Sequence, residues 1–366
     1  MSTPALIGLG SNLGDRKAYL DRAVASLSGT PGISLRAVSR YHETSPVGGP
    51  AGQGTFLNAA AALETTLEPE PLLQVLHSIE DRAGRVRVER WGERTLDLDL
   101  LLYGSAVIAT MRLRVPHPMM AFRRFVLAPL VEVAPLAVDP ITGRTIVDLL
   151  ANLDRRPSYV ALATEPKWDW VEIYLNWLDA RDQGAPMTMA NSLPSDPACL
   201  FRDRLGQAIP AVAVEDRISD ADRLRVAESR FLGRPEPCGA GATTLVALAT
   251  EWLDPPACAA LVSDDGWLVS HFWFDALFLS LDSLKSLRPR FPAFVSRFLE
   301  ARRNVLPPTF VVARPADCNR LGLRDARYSW RRPIGWDAPV LVVDEFESET
   351  ALAQVLTACS ATRAGV

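Results

Sequence analysis

Residues 95–103, Thr-Leu-Asp-Leu-Asp-Leu-Leu-Leu-Tyr, constrain the fold more than any other segment of this chain. In an extended backbone successive side chains face opposite sides. Leu96, Leu98 and Leu100 then point one way, and Asp97 and Asp99 the other. The segment predicts a half-buried strand, its polar side carrying two carboxylates with Cα atoms ~6.5–7 Å apart. Apolar spacing around it predicts a strand over 5–9, a helix over 16–27, a strand over 33–41, a loop over 44–55 and a strand over 56–67. A helix follows over 69–83, with Pro69 and Glu70 in its first turn and Gly84 just past its end. Another helix is expected over 120–133, then a strand and a short helix ending near residue 150. The order strand-helix-strand-strand-helix-strand suits an α+β ferredoxin-like sandwich.

That set of elements uses less than half of the 366 residues. A single core rarely grows past ~250–300 residues, so two domains are expected. Only Trp91 of nine tryptophans, and none of the five cysteines, lies before residue 160. The polar stretch 152–157 follows an apolar end at 146–150, placing the division at 155–165 and the domains at 1–155 and 160–366. A net charge of −4 gives no bulk electrostatic case for nucleic acid or membrane surfaces. No apolar run reaches the ~18 residues of a membrane span. The opening residues carry no basic region of a signal peptide, and the cysteines (Cys199, Cys238, Cys258, Cys318, Cys359) form no CxxC pair. A cytoplasmic protein with reduced thiols is expected.

Two glycine-rich segments invite a nucleotide-binding reading. Gly8-Leu-Gly-Ser-Asn-Leu-Gly14 follows a strand, but its third glycine comes one residue late for a dinucleotide fingerprint. A tight turn between strand and helix, with Asn12 or Asp15 as cap, is the simpler expectation. The chain has three lysines, Lys17, Lys167 and Lys285, and none follows a glycine, so it holds no intact P-loop. Residues 239–244, Gly-Ala-Gly-Ala-Thr-Thr, read as a plain helix N-terminus.

Asp97 and Asp99 could hold one or two magnesium ions through oxygen ligands, or could be two solvated carboxylates; the strand alone suits both. Arg85, Arg87, Arg90 and Arg94 crowd the ten residues ahead of them. Such a loop repels itself unless an anion gathers it, and a nucleoside triphosphate chelating magnesium would neutralise both sets. Metals and arginines around developing charge are the recurrent arrangement for phosphoryl transfer. Gly92 beside Trp91 supplies that loop with a hinge and an aromatic lid. Residues 41–48 (Tyr-His-Glu-Thr-Ser-Pro-Val-Gly) form a turn whose backbone can bond a flat heterocycle. Phe56 and Asn58 place an aromatic and an amide on one strand face, suited to a pterin or purine edge. Residues 116–125 add His117, two arginines and two aromatics around a helix start.

The succession GLGSNLGDR, YHETSPVG, FLNAA, GRVR with RWGERTLDLDLLLYG, and VPHPMMAFRRFVLAPL resembles 6-hydroxymethyl-7,8-dihydropterin pyrophosphokinases, over about residues 4–150. The resemblance implies a ferredoxin-like enzyme of folate biosynthesis that transfers pyrophosphate from Mg-ATP to the pterin hydroxymethyl group and releases AMP. It implies two magnesium ions on Asp97 and Asp99, with Arg85 and Arg94 sharing the catalytic role. Phe56 and Phe125 match the rings that sandwich the pterin; Thr44, Ser45, Val47 and Asn58 match its edge contacts. His77, Glu80, Arg87, Arg90, Trp91, His117 and Arg123 match positions that bind ATP or close the loop over it. The rival from another class is a pterin or nucleotide sensor without catalysis, which would have no need of both aspartates and all four loop arginines.

Residues 160–366 give an α/β expectation: strands over 159–162, 308–312 and 339–343, and helices over 269–281 and 294–302. Ser263-Asp-Asp-Gly-Trp, Phe274-Asp275 and the run 308–327 resemble deoxynucleoside kinases faintly, with Arg324 and Arg327 at the lid arginines. Where the P-loop belongs, the chain reads Ala163-Thr-Glu-Pro-Lys-Trp168. The expectation is a degenerate kinase-like domain without its P-loop, fused as a partner or scaffold surface for domain or homo-oligomer contacts. An active second kinase, making the protein bifunctional, is the alternative.

Overall fold

The computed structural model describes residues 2–47, 50, 52–84, 92–155, 158–162, 244–246, 267–270, 308–320, 338–346 and 348–364. Its backbone divides into two compact units, one of residues 1–155 with 324–330 and 356–366, the other of 156–323 with 331–355.

In the first unit β1 (Thr3–Ser11) leads to α1 (Arg16–Ser28), then β2 (Ile33–Val38), β3 (His42–Thr44) and β4 (Phe56–Thr65). α2 (Pro69–Arg82) and β5 (Asp97–Tyr103) complete a split β-α-β pattern. The sheet order is β2-β4-β1-β5, every neighbouring pair is antiparallel, and β3 pairs with β4. Asp15, not Asn12, caps α1, accepting from the Ala18 N–H at 3.0 Å. Pro69 opens α2, and Gly84, at φ +74°, turns the chain away from its end.

Leu20, Leu27, Leu72, Leu76 and Ile79 of α1 and α2 pack with Leu96, Leu98 and Leu100 on one face of the sheet. The other face is covered as well, by α3 (Arg124–Val133) and α4 (Ile146–Asp154) through Leu127, Leu130, Leu149 and Leu153. Both faces being buried explains the small, apolar centre of β4, where Ala59, Ala60 and Ala61 are all buried.

Two expectations change here. The strand expected after residue 133 is a single bridge between Val138 and Thr145, in a stretch broken by Pro135, Pro140 and Gly143. The single helix over 120–133 is instead a short 3₁₀ turn, Met120–Phe122, and α3, separated by Arg123 in an extended conformation (φ −107°, ψ 100°).

In the second unit β8 (Ser158–Leu162), β9 (Thr244–Val246), β10 (Trp267–Ser270), β11 (Phe310–Ala313) and β12 (Val340–Val342) form one parallel sheet in the order β12-β11-β8-β10-β9; β6 (Ile108–Ala109) and β7 (Arg114–Val115) are a hairpin of the first unit. The chain turns both ways from its central first strand. Trp267–Ser270 is extended, so no helix starts at Val269; a strand buried in a parallel sheet and a buried helix turn look alike over four apolar residues. The rest of that helix, residues 294–302, 163–168, 239–243, Arg324 and Arg327 lie outside the described residues. α5 (Pro315–Arg320) and α6 (Glu349–Arg363) complete the described elements. Cys318 and Cys359 are free, buried thiols. Among the described residues no helix is long and apolar enough to cross a membrane.

Candidate active site

The site is built on a row of residues crossing four strands. His42 pairs with Asn58, Asn58 with Gly10, and Gly10 with Asp97. One pleat further along, Ala60, Gly8 and Asp99 form the next row. Period two puts Gly8 and Gly10 on the same side as the aspartates and Asn58. The glycine pair is therefore the flat floor between an amide and two carboxylates. A β-carbon on Gly10 would stand 3.1 Å from Asn58 Oδ1, and one on Gly8 would stand 3.3 Å from Leu101 Cδ1. Gly8 and Gly10 lie inside β1, so the tight turn expected for this segment begins only at Gly14, at φ +69°.

Above the floor is a cavity of about 410 Å³. Thr44, Ser45, Val47, Phe56, Asn58, Arg94, Asp97, Asp99, His117, Arg123 and Phe125 all line it, from four strands or loops and the start of α3. The break at Arg123 has a consequence here. It lets Arg123 turn to Asp99, at 3.9 Å, while its guanidinium lies over the Phe125 ring, 5.7 Å from the centroid. Asn58 Nδ2 donates to Thr44 Oγ1 at 2.8 Å in a buried bond.

The two carboxylates are held differently. Arg94 Nη1 is 2.5 Å from Asp97 Oδ2. Asp99 faces Arg123 and, at 4.0 Å, His117 Nε2. His117 Nδ1 accepts the Met119 N–H at 3.2 Å, so the neutral ring carries its proton on Nε2, toward Asp99. Burial lowers the His117 pKa from its ordinary value against the opposing pull of Asp99, which keeps the ring neutral at neutral pH. Burial also lowers Arg123, with Asp99 and Asp97 acting the other way.

Glu80 and His77 sit outside the cavity lining. Glu80 is buried on α2, and its Oε1 accepts the Leu98 N–H at 2.8 Å. Leu98 stands between the two aspartates, so Glu80 braces the edge strand that carries them. His77, one turn earlier on α2, is half-buried. Arg85, Arg87, Arg90 and Trp91 lie outside the described residues.

Sequence reasoning passed over Asn12 and Gln53. Asn12 Oδ1 accepts the Arg94 N–H at 2.8 Å, its own N–H donates to the Arg94 carbonyl at 3.0 Å, and its Nδ2 donates to Gln53 at 3.3 Å. A buried asparagine so close to a helix start reads as a cap, and the partners are far away in sequence. Among the described residues no group of three or more His, Cys, Asp and Glu is placed to hold a metal. Two carboxylates on one face nevertheless fit magnesium, which commonly takes one or two carboxylates and completes its octahedron with phosphate oxygens and water.

A family model described as 7,8-dihydro-6-hydroxymethylpterin-pyrophosphokinase matches residues 6–135. The 2-amino-4-hydroxy-6-hydroxymethyldihydropteridine pyrophosphokinase of Synechocystis sp. is 43% identical over 150 residues, covering 41% of this chain and 76% of the relative. That of Methylorubrum extorquens is 48% identical over 152 residues, covering 42% of this chain and 94% of the relative. That of Bacillus subtilis is 48% identical over 133 residues, 36% of this chain and 79% of the relative.

Proposed function

The chain belongs to the 7,8-dihydro-6-hydroxymethylpterin-pyrophosphokinase family, and on that premise we propose how its residues divide the work. The reaction joins the hydroxymethyl oxygen of 6-hydroxymethyl-7,8-dihydropterin to the β-phosphorus of ATP. The bond between that phosphorus and the α-phosphate bridging oxygen breaks, AMP leaves, and the hydroxyl proton is lost. The observation that carries this reading is the convergence of an amide and two rings with two carboxylates and three basic side chains in one cavity.

Phe56 and Phe125 supply stacking faces for the pterin. Asn58, its amide oriented by Thr44, and the backbone at Ser45 and Val47 read the pterin edge. Gly8 and Gly10 leave the depth the heterocycle needs. Arg94 and Arg123, with Arg85, Arg87, Arg90, Trp91 and His77, gather the triphosphate, and Arg94 must exchange part of its contact with Asp97 for phosphate oxygen. His117 donates from Nε2 as a neutral group, adding no charge of its own. Asp97 and Asp99 would hold two magnesium ions, which when bound screen triphosphate charge and polarise the phosphoryl oxygens. Glu80 acts through β5, keeping both aspartates in register.

The second domain, 160–366, is an α/β kinase-like module serving as a scaffold or partner surface in a cytoplasmic protein. The parallel sheet with its first strand at the centre supports the fold, since ligands of such sheets bind where the chain turns both ways. After β8, the sequence 163–168 has no glycine and its lysine follows proline, which removes the phosphate cradle. The test is AMP release by the full-length protein from ATP, magnesium and the pterin alcohol. Folded but silent protein would favour the sensor reading. ADP formation with any deoxynucleoside would instead make the protein bifunctional.

A further inference from the structure

Arg16, the first residue of α1, reaches the root of the loop between β3 and β4. Its Nη1 lies 2.9 Å from Glu43 Oε1, 2.7 Å from the Thr55 carbonyl and 2.8 Å from Thr55 Oγ1. Thr55 Oγ1 donates to the same Glu43 oxygen at 2.6 Å. Glu43 immediately precedes Thr44, and Thr55 immediately precedes Phe56. Thr44 and Phe56 are register partners at the end of the β3–β4 ladder, and both line the cavity.

We propose that Arg16 is a positioning residue for the pterin, clamping the Glu43–Thr55 root so that Thr44 and Phe56 stand in place before the heterocycle arrives. This rests on the pterin reading above. The end of a ladder is where a sheet frays. Here fraying would swing the Phe56 ring and remove the acceptor that orients Asn58. Three acceptors around one guanidinium nitrogen ask for a fixed cation with several donors, which lysine supplies only as a point charge. The Thr55 hydroxyl and the Arg16 cation both hold the Glu43 carboxyl below its ordinary range, consistent with a charged partner throughout neutral pH. The side chains of Arg16 and Glu43 remain 31% and 58% exposed, so the ion pair adds little to global stability. Its effect is local order, which preorganises one substrate's site and leaves the other's alone.

The experiment uses full-length protein and the variants Arg16→Gln, Glu43→Gln and the double variant. Binding of 6-hydroxymethyl-7,8-dihydropterin is measured by titration in the presence of a non-hydrolysable ATP analogue, alongside kcat and both KM values. The pterin Kd and KM should rise about five- to tenfold in each single variant, as loss of a charge-assisted hydrogen bond implies. The KM for ATP and kcat should stay within about twofold. The double variant should be no worse than either single one, since both remove the same clamp. Arg16→Lys should recover only part of the affinity. Unchanged pterin binding in both single variants, an equal loss for ATP and pterin, or additive losses would overturn the clamp. If the wild-type protein itself fails to bind the pterin, the functional reading falls and the clamp falls with it; wild-type binding with unaltered variants removes the clamp alone.

Discussion

Asn58 donates its side-chain N–H to the Thr44 hydroxyl at 2.8 Å, and both residues are buried at the cavity wall. The bond joins neighbouring strands and decides which end of the amide the cavity sees. Thr44→Val keeps the shape and removes the acceptor. A buried donor losing its partner costs ~1–3 kcal/mol. The pterin KM should rise about tenfold with little change in the KM for ATP, read from initial rates at saturating concentrations of the other substrate.

Asp97 and Asp99 occupy the two exposed-side positions of one strand while their neighbours Leu98 and Leu100 are buried. Asp97→Asn and Asp99→Asn retain the shape and remove the charge that would hold magnesium. Each should lower kcat at least a hundredfold, roughly the several kcal/mol expected of metal assistance. Circular dichroism should show the fold intact. Near-normal turnover of either variant would remove its carboxylate from the metal site.

Gly10 allows the close approach of β1 to the amide. A β-carbon there would stand 3.1 Å from Asn58 Oδ1, 3.9 Å from Asp97 Cβ and 4.0 Å from Phe56 Cδ1. Overpacking of this kind costs ~1–3 kcal/mol. Gly10→Ala should therefore weaken pterin binding and lower kcat together, because the same atom presses on the amide and the carboxylate. A pterin titration unchanged from wild type would show that Asn58 can yield.

Glu132 near the end of α3 accepts from the Arg40 backbone and guanidinium and faces His42 Nε2, each at 2.9 Å. The Arg40 hydrogen bonds, more than His42, pull its pKa down to about 2. A carboxylate lowered on folding contributes stability that is complete above its unfolded value and is lost as pH falls toward the folded one. Glu132→Gln should lower Tm at pH 6 and above, and the gap should close between about pH 4.5 and pH 2. A gap constant with pH would mean that the contact is steric, not charged.

The sequence alone determined most of the first unit's order of elements, because a period of two or 3.6 residues is a local property. Residues 95–103 could form only one kind of strand, and the observed Asp97–Tyr103 buries the leucines that the alternation assigned to the core. The carboxylate pair and the aromatic and amide of β4 were legible for the same reason. The boundary between helix and strand was least legible where every residue is apolar, as at Trp267–Ser270.

Only the tertiary structure decided what lies across the sheet. Gly8 and Gly10 look like a turn in one dimension and become a floor once β4 and β5 flank them. Asn12 looks like a cap and instead ties Arg94 to Gln53, partners separated from it by 82 and 41 residues. The break before α3 follows from the pull of Arg123 toward Asp99, 24 positions earlier in the chain. Each of these depends on hydrogen bonds and charges that meet through strand register. Register is set by the packing of whole faces, so no window of sequence contains it.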